Sequence, residues 1–122
     1  MNKEALRYIE NSKEILSTKA QKNEGYYTDK KYIKMAGHTA YSGVLVALDA
    51  LLEAPKKGRK SVEWYKEALA KYDKRMLNYF NDAYEILHLL MSYDGYGKEK
   101  IVKEGLESAE KLIEWSANQR KN

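Results

Sequence analysis

The chain has 122 residues and no cysteine. It is therefore long enough to bury a core without staples, and it cannot form a disulfide framework or a thiolate metal site. Its net charge of +4, from 22 basic and 18 acidic residues, comes entirely from Lys56, Lys57, Arg59 and Lys60; without them each sign numbers 18. That is a local excess rather than the spread basic face of a typical nucleic-acid binder.

The elements follow in order along a single domain, residues 1–122. MNKEALRYIENSKE opens as a helix rather than an apolar leader, and the first helix is expected from Asn2 to Lys22. Ala5, Ile9, Ser12 and Leu16 share one of its faces, with Leu6, Tyr8 and Ile15 beside them. NEGYYTD, residues 23–29, is a turn in which Gly25 breaks the helix and Thr28 or Asp29 can cap the next. The second helix is expected from Lys30 to Ala54, ahead of Pro55. Ala36, Ala40, Gly43, Ala47, Ala50 and Ala54 recur along it at steps of four and three. Such a stripe of short side chains lets another helix approach closely, so this segment should lie at the centre of the bundle.

Pro55 and Gly58 stop that helix, and Ser61 is suited to cap a third, with Val62, Tyr65, Leu69 and Tyr72 on its inner face. A fourth helix is expected from Arg75 to Tyr93. Tyr72–Lys74 carries no Gly or Pro, so it reads as either a kink or a break. Asp94–Gly97 is a turn, and a last helix from Lys98 to about Asn118 puts Ile101, Gly105, Ser108, Leu112 and Trp115 in register. No repeat and no strand alternation is evident. The expected fold is all-α, a four- to five-helix antiparallel bundle. The longest apolar run, Val44–Leu48, is far short of a bilayer span, so the protein is expected to be cytoplasmic.

Four constellations could carry chemistry. His38, Ser42 and Asp49 lie within about 40° of one another on the second helix and roughly 160° from the small-residue stripe. They face water or a partner subunit, and one straight helix cannot fold all three around a substrate, so an interface role is expected rather than a Ser–His–Asp nucleophile. Glu85 and His88 have the Glu-x-x-His spacing of di-iron bundles. Those need a second copy, and the chain's other histidine, His38, is preceded by Met35 at that offset. No metal and no cofactor is expected.

Asn81, Tyr84 and His88 could line a polar pocket at the edge of the apolar arc of their helix. Lys56, Lys57, Arg59 and Lys60 form a solvated loop or, as the alternative, a phosphate-binding patch. Eleven tyrosines against one phenylalanine suit an interface or the periphery of a thin bundle, because tyrosine packs a ring while keeping its hydroxyl wet or bonded.

MAGHTAYSGVLVALDALL, Met35–Leu52, resembles the second helix of HEPN-type bundles, an alanine-rich helix with a mid-helix tyrosine and an aliphatic end. YIENSKEIL and YFNDAYEILHLLMSYDG extend a resemblance to an uncharacterised, Bacteroides-type bacterial helical family. The HEPN resemblance implies an up-and-down bundle. HEPN ribonucleases carry an Arg-x4–6-His motif, whereas Asn81, Asp82 and Ala83 occupy those positions before His88, and Lys31, Tyr32 and Ile33 those before His38. RNA cleavage by that route is therefore disfavoured. The residues point to a non-enzymatic module acting as a homodimer or a partner-binding subunit. Nucleic-acid or nucleotide binding through residues 56–60 is the alternative.

Overall fold

The computed structural model describes residues 3–52 and 60–120. Among them the chain forms α1 (Lys3–Thr18), a hairpin of β1 (Lys22–Asn23) and β2 (Tyr26–Tyr27), α2 (Lys30–Leu52), α3 (Val62–Tyr72), α4 (Lys74–Ala83), a π-helical segment (Tyr84–Tyr93) and α5 (Glu99–Arg120). It is an all-α bundle. Central α2 packs on α1, the π segment and α5, while α3 leans on α4.

The expected face of α1 is the buried one: Ala5, Ile9, Ser12 and Leu16 all point inward. Two serines tie the outer helices to α2. Ser12 Oγ donates to the Ala36 carbonyl at 2.7 Å and Ser116 Oγ to the Ala47 carbonyl at 3.0 Å. Each hydroxyl is buried but satisfied, which removes the desolvation cost that would otherwise disfavour it there.

Most of the small stripe lies inside as expected. Ala36, Ala40, Gly43 and Ala47 are buried, and a Cβ on Gly43 would stand 2.7 Å from that of Tyr8. Ala50 departs from the expectation: it is exposed. Ala54 lies outside the described residues. By length and mean hydropathy α2 is apolar enough to cross a membrane, but in this bundle its apolar side chains supply much of the core.

Two local features depart from the sequence expectation, and one open point is resolved. α1 ends at Thr18 rather than Lys22, and the expected turn is a β-hairpin. Glu24 (φ 50°) and Gly25 (φ 84°) both lie in the left-handed region, as a type I′ turn requires. The 72–74 junction is a true break. Asp73 is extended (φ −164°, ψ 118°), ends α3 through its backbone N–H to the Leu69 carbonyl, and caps α4 by accepting from Arg75 N at 2.8 Å. A single aspartate thus does what Gly or Pro more often signals. Thirdly, the expected fourth helix changes at Tyr84 from α to π hydrogen bonding and keeps that pattern to Tyr93. The other expected caps form as read: Asp29 Oδ1 accepts from Lys31 N, and Ser61 Oγ accepts from Trp64 N.

Candidate functional site

The π segment faces α2 across a close contact. A Cβ on Gly37 would stand 2.5 Å from the Leu87 carbonyl oxygen and 2.6 Å from the Met91 Cβ. Beside this contact the aromatic rings gather around His88. Its imidazole stacks on Tyr41 of α2 (centroids 4.8 Å, planes 27° apart), with Tyr84 at 5.4 Å and Tyr93 edge-on at 5.0 Å. The π pattern makes the last contact. Residues five apart share a face when hydrogen bonds run i to i+5, whereas in an α-helix they diverge by about 140°.

The expected Asn81–Tyr84–His88 group is placed along one side of this helix. Tyr84 and His88 are in ring contact, and Asn81 sits one turn earlier. Asn81 Oδ1 and His88 Nδ1 are shut from solvent and make no hydrogen bond within the described chain. Such atoms are few in folded proteins. Burial, and then the charge of nearby His38, hold the His88 imidazole below its ordinary range, so it is neutral at pH 7. Burial pushes the Tyr41 hydroxyl up. No serine hydroxyl or carboxylate bonds to His88 among the described residues. Glu85 points to solvent while His88 turns in, which separates the Glu-x-x-His pair. Among the described residues no group of three His, Asp or Glu is arranged to hold a metal.

The depressed His88 value has a consequence for stability. The unfolded chain takes up the proton near pH 6.5, the folded chain only at lower pH. Stability from this source is complete above pH 6.5, declines as pH falls below it, and levels off once the folded imidazole is also charged. Urea midpoints measured from about pH 8 down to pH 5 should show this decline, and His88→Phe should flatten it. A variant whose slope matches the wild type would remove His88 as the cause.

His38, Ser42 and Asp49 do not act as a set. His38 is exposed, Ser42 Oγ donates back to the His38 carbonyl at 2.9 Å, and Asp49 is engaged elsewhere. The Tyr65 hydroxyl donates to Asp49 Oδ1 at 2.6 Å, and Lys60 Nζ lies 3.1 Å from Asp49 Oδ2. Asp49 thereby anchors α3 to α2, and burial together with this bond pushes the Tyr65 hydroxyl up. Of the basic run only Lys60 is described, and this ion pair occupies it. Lys56, Lys57 and Arg59 lie outside the described residues.

Two surfaces escape a reading of the sequence alone. One is a cleft of about 260 Å³ lined by Leu52, Trp64, Glu67, Ala68, Lys71 and Tyr72. Tyr72, expected to face inward, is 54% exposed and stands edge-on to Trp115 at 5.9 Å. The other is the hairpin end of the bundle, where Tyr26, Tyr93 and Tyr96 are exposed among lysines. Both depend on residues distant in sequence meeting in space.

A family model described as "Domain of unknown function (DUF5618)" matches residues 1–118. A solved structure of a protein of unknown function from Dyadobacter fermentans is similar at 53% identity and TM-score 0.92. The match covers 95% of this chain and 93% of that one. No curated protein matches.

Proposed function

The chain belongs to the DUF5618 family, and from that premise we propose that it works by association, as a non-enzymatic helical module that forms a homodimer or docks on a protein partner. The observation that carries this reading is the cleft between the end of α2 and α3. Trp64 and Tyr72 line it, and Trp115 supports Tyr72 from behind. Tyrosine and tryptophan are enriched where interfaces concentrate their energy, because a large rigid ring gains area at little entropic cost.

The HEPN resemblance enters as architecture. Arg75 pairs with Asp73 at the start of α4 and, thirteen positions before His88, lies on the order of 20 Å from it along the helix. That spacing supports a partner-binding bundle over an RNA-cutting one. In this reading the protein is cytoplasmic and α2 is a core helix.

Light scattering across a concentration series tests the homodimer form. A concentration-dependent dimer is expected, weakened about 30-fold by Tyr72→Asp, the equivalent of ~2 kcal/mol at an interface centre. A monomer at every concentration overturns the homodimer, as does a dimer that Tyr72→Asp leaves unchanged.

A further inference from the structure

The hairpin end combines ring faces and positive charge in a way the association reading does not use. Backbone bonds tie the hairpin to the turn before α5: Tyr27 N donates to the Gly97 carbonyl at 2.7 Å and Glu99 N to the Gly25 carbonyl at 3.0 Å, while Tyr26 bridges to Lys98. Gly95 of the same turn lies against the N-terminus of α2, where an added Cβ would stand 3.1 Å from the Lys30 Cβ and 3.4 Å from the Lys34 Cε. Residues 19–34 and 93–100 therefore form one surface. It carries five of the eleven tyrosines, and seven lysines against four carboxylates.

Two of those carboxylates are occupied, Glu99 by Lys22 at 2.8 Å and Asp29 by the α2 cap. Lys19, Lys30, Lys31 and Lys34 have no ion pair among the described residues and are exposed. Lys19 and Lys31 lie over the Tyr32 ring at 5.7 and 5.4 Å. Tyr26, Tyr93 and Tyr96 are 45%, 64% and 36% exposed.

We propose that this end binds single-stranded nucleic acid, with bases stacking on Tyr26, Tyr93 and Tyr96 and phosphates meeting Lys30, Lys31 and Lys34. Stacking rings beside a positive track are the physical basis of sequence-tolerant single-strand binding. Duplex DNA keeps its base faces stacked on one another and offers them to no tyrosine. Protein interfaces are depleted in lysine, which disfavours a protein partner here. A lipid surface is entered by Leu, Phe or Trp on an amphipathic face, and the exposed rings of this end are tyrosines.

Fluorescence anisotropy with a labelled oligo(dT) on the order of 12 nucleotides long tests the assignment. Binding is expected in about 50 mM salt, with log K falling against log salt at a slope of about −2, the value for three phosphates on a single strand. Tyr93→Ala should weaken binding about 10-fold with the slope unchanged, since stacking is lost and charge is not. Lys30→Glu with Lys34→Glu should weaken binding and flatten the slope. Charge reversal at Lys56 and Lys57, in the other basic segment, should leave binding intact. Four results overturn the proposal: no binding in low salt, equal affinity for a duplex of the same length, loss of binding only in the Lys56/Lys57 variant, or binding to phosphatidylserine vesicles without binding to the oligonucleotide. Tyr72→Asp, which tests the association reading, should not change the anisotropy, so the two readings fail separately.

Discussion

Phe80→Ala is expected to destabilise the protein by about 3–5 kcal/mol, the range for removing a buried aromatic ring whose surroundings relax only in part. Phe80 is the one phenylalanine in the chain and is fully buried. Its ring meets Tyr65 at 5.9 Å, Tyr41 at 6.4 Å and Tyr84 at 6.4 Å, so it joins α3, α2 and the π segment at one point. Urea denaturation measures the effect. A loss under about 1 kcal/mol would show that the tyrosines close over the gap and that the ring does not hold the three elements together. Phe80→Leu, which keeps most of the volume, should cost considerably less.

Gly37→Ala sets two effects of opposite sign against each other. In the interior of a helix alanine is favoured over glycine by about 0.5–1 kcal/mol, because it restricts the unfolded chain. At Gly37, however, the new methyl would stand 2.5 Å from a backbone oxygen and 2.6 Å from the Met91 Cβ. Neither atom is the free end of a flexible side chain, so α2 and the π segment must move apart. Overpacking of this kind costs about 1–3 kcal/mol, more where backbone is the obstacle, and it outweighs the propensity gain. The expected net result is a loss of about 2 kcal/mol and a melting temperature lower by about 6–10 °C. Any gain in melting temperature would mean that the two elements are not in contact at this point.

Much of the architecture was legible because α-helical periodicity reports burial directly. Ala5, Ile9, Ser12 and Leu16, the stripe from Ala36 to Ala47, and the caps at Asp29 and Ser61 all follow from spacing and side-chain chemistry. Two-residue strands are too short to alternate, so Lys22–Asn23 and Tyr26–Tyr27 leave no strand signal. Asp73 breaks a helix through its backbone conformation and its cap, which no Gly or Pro announces. The π segment defeats the 3.6-residue count itself: Tyr93 falls off the His88 face on an α-helical wheel and on it in the folded chain. The site around His88 was accordingly half visible. Asn81, Tyr84 and His88 could be grouped by spacing, but Tyr41 arrives from another helix and Tyr93 through the change of helix type. The hairpin end was hidden for a related reason, since its tyrosines and lysines come from segments about seventy residues apart that meet only in the folded chain, through bonds such as those between Gly25, Tyr27, Gly97 and Glu99.

The π segment also bears on how this helix could change length over evolutionary time. A backbone that bonds five residues ahead encloses one more residue in each loop than one that bonds four ahead, so Tyr84–Tyr93 holds chain in reserve. In an ordinary α-helix a one-residue deletion rotates everything beyond it by about 100° and turns a buried face outward. Here the same deletion can be absorbed by reversion to α bonding, with Asp94–Gly97 kept in place to meet the hairpin. The contact such a deletion would give up is the one between His88 and Tyr93. A length change in this segment therefore acts first on the contact between the His88 and Tyr93 rings.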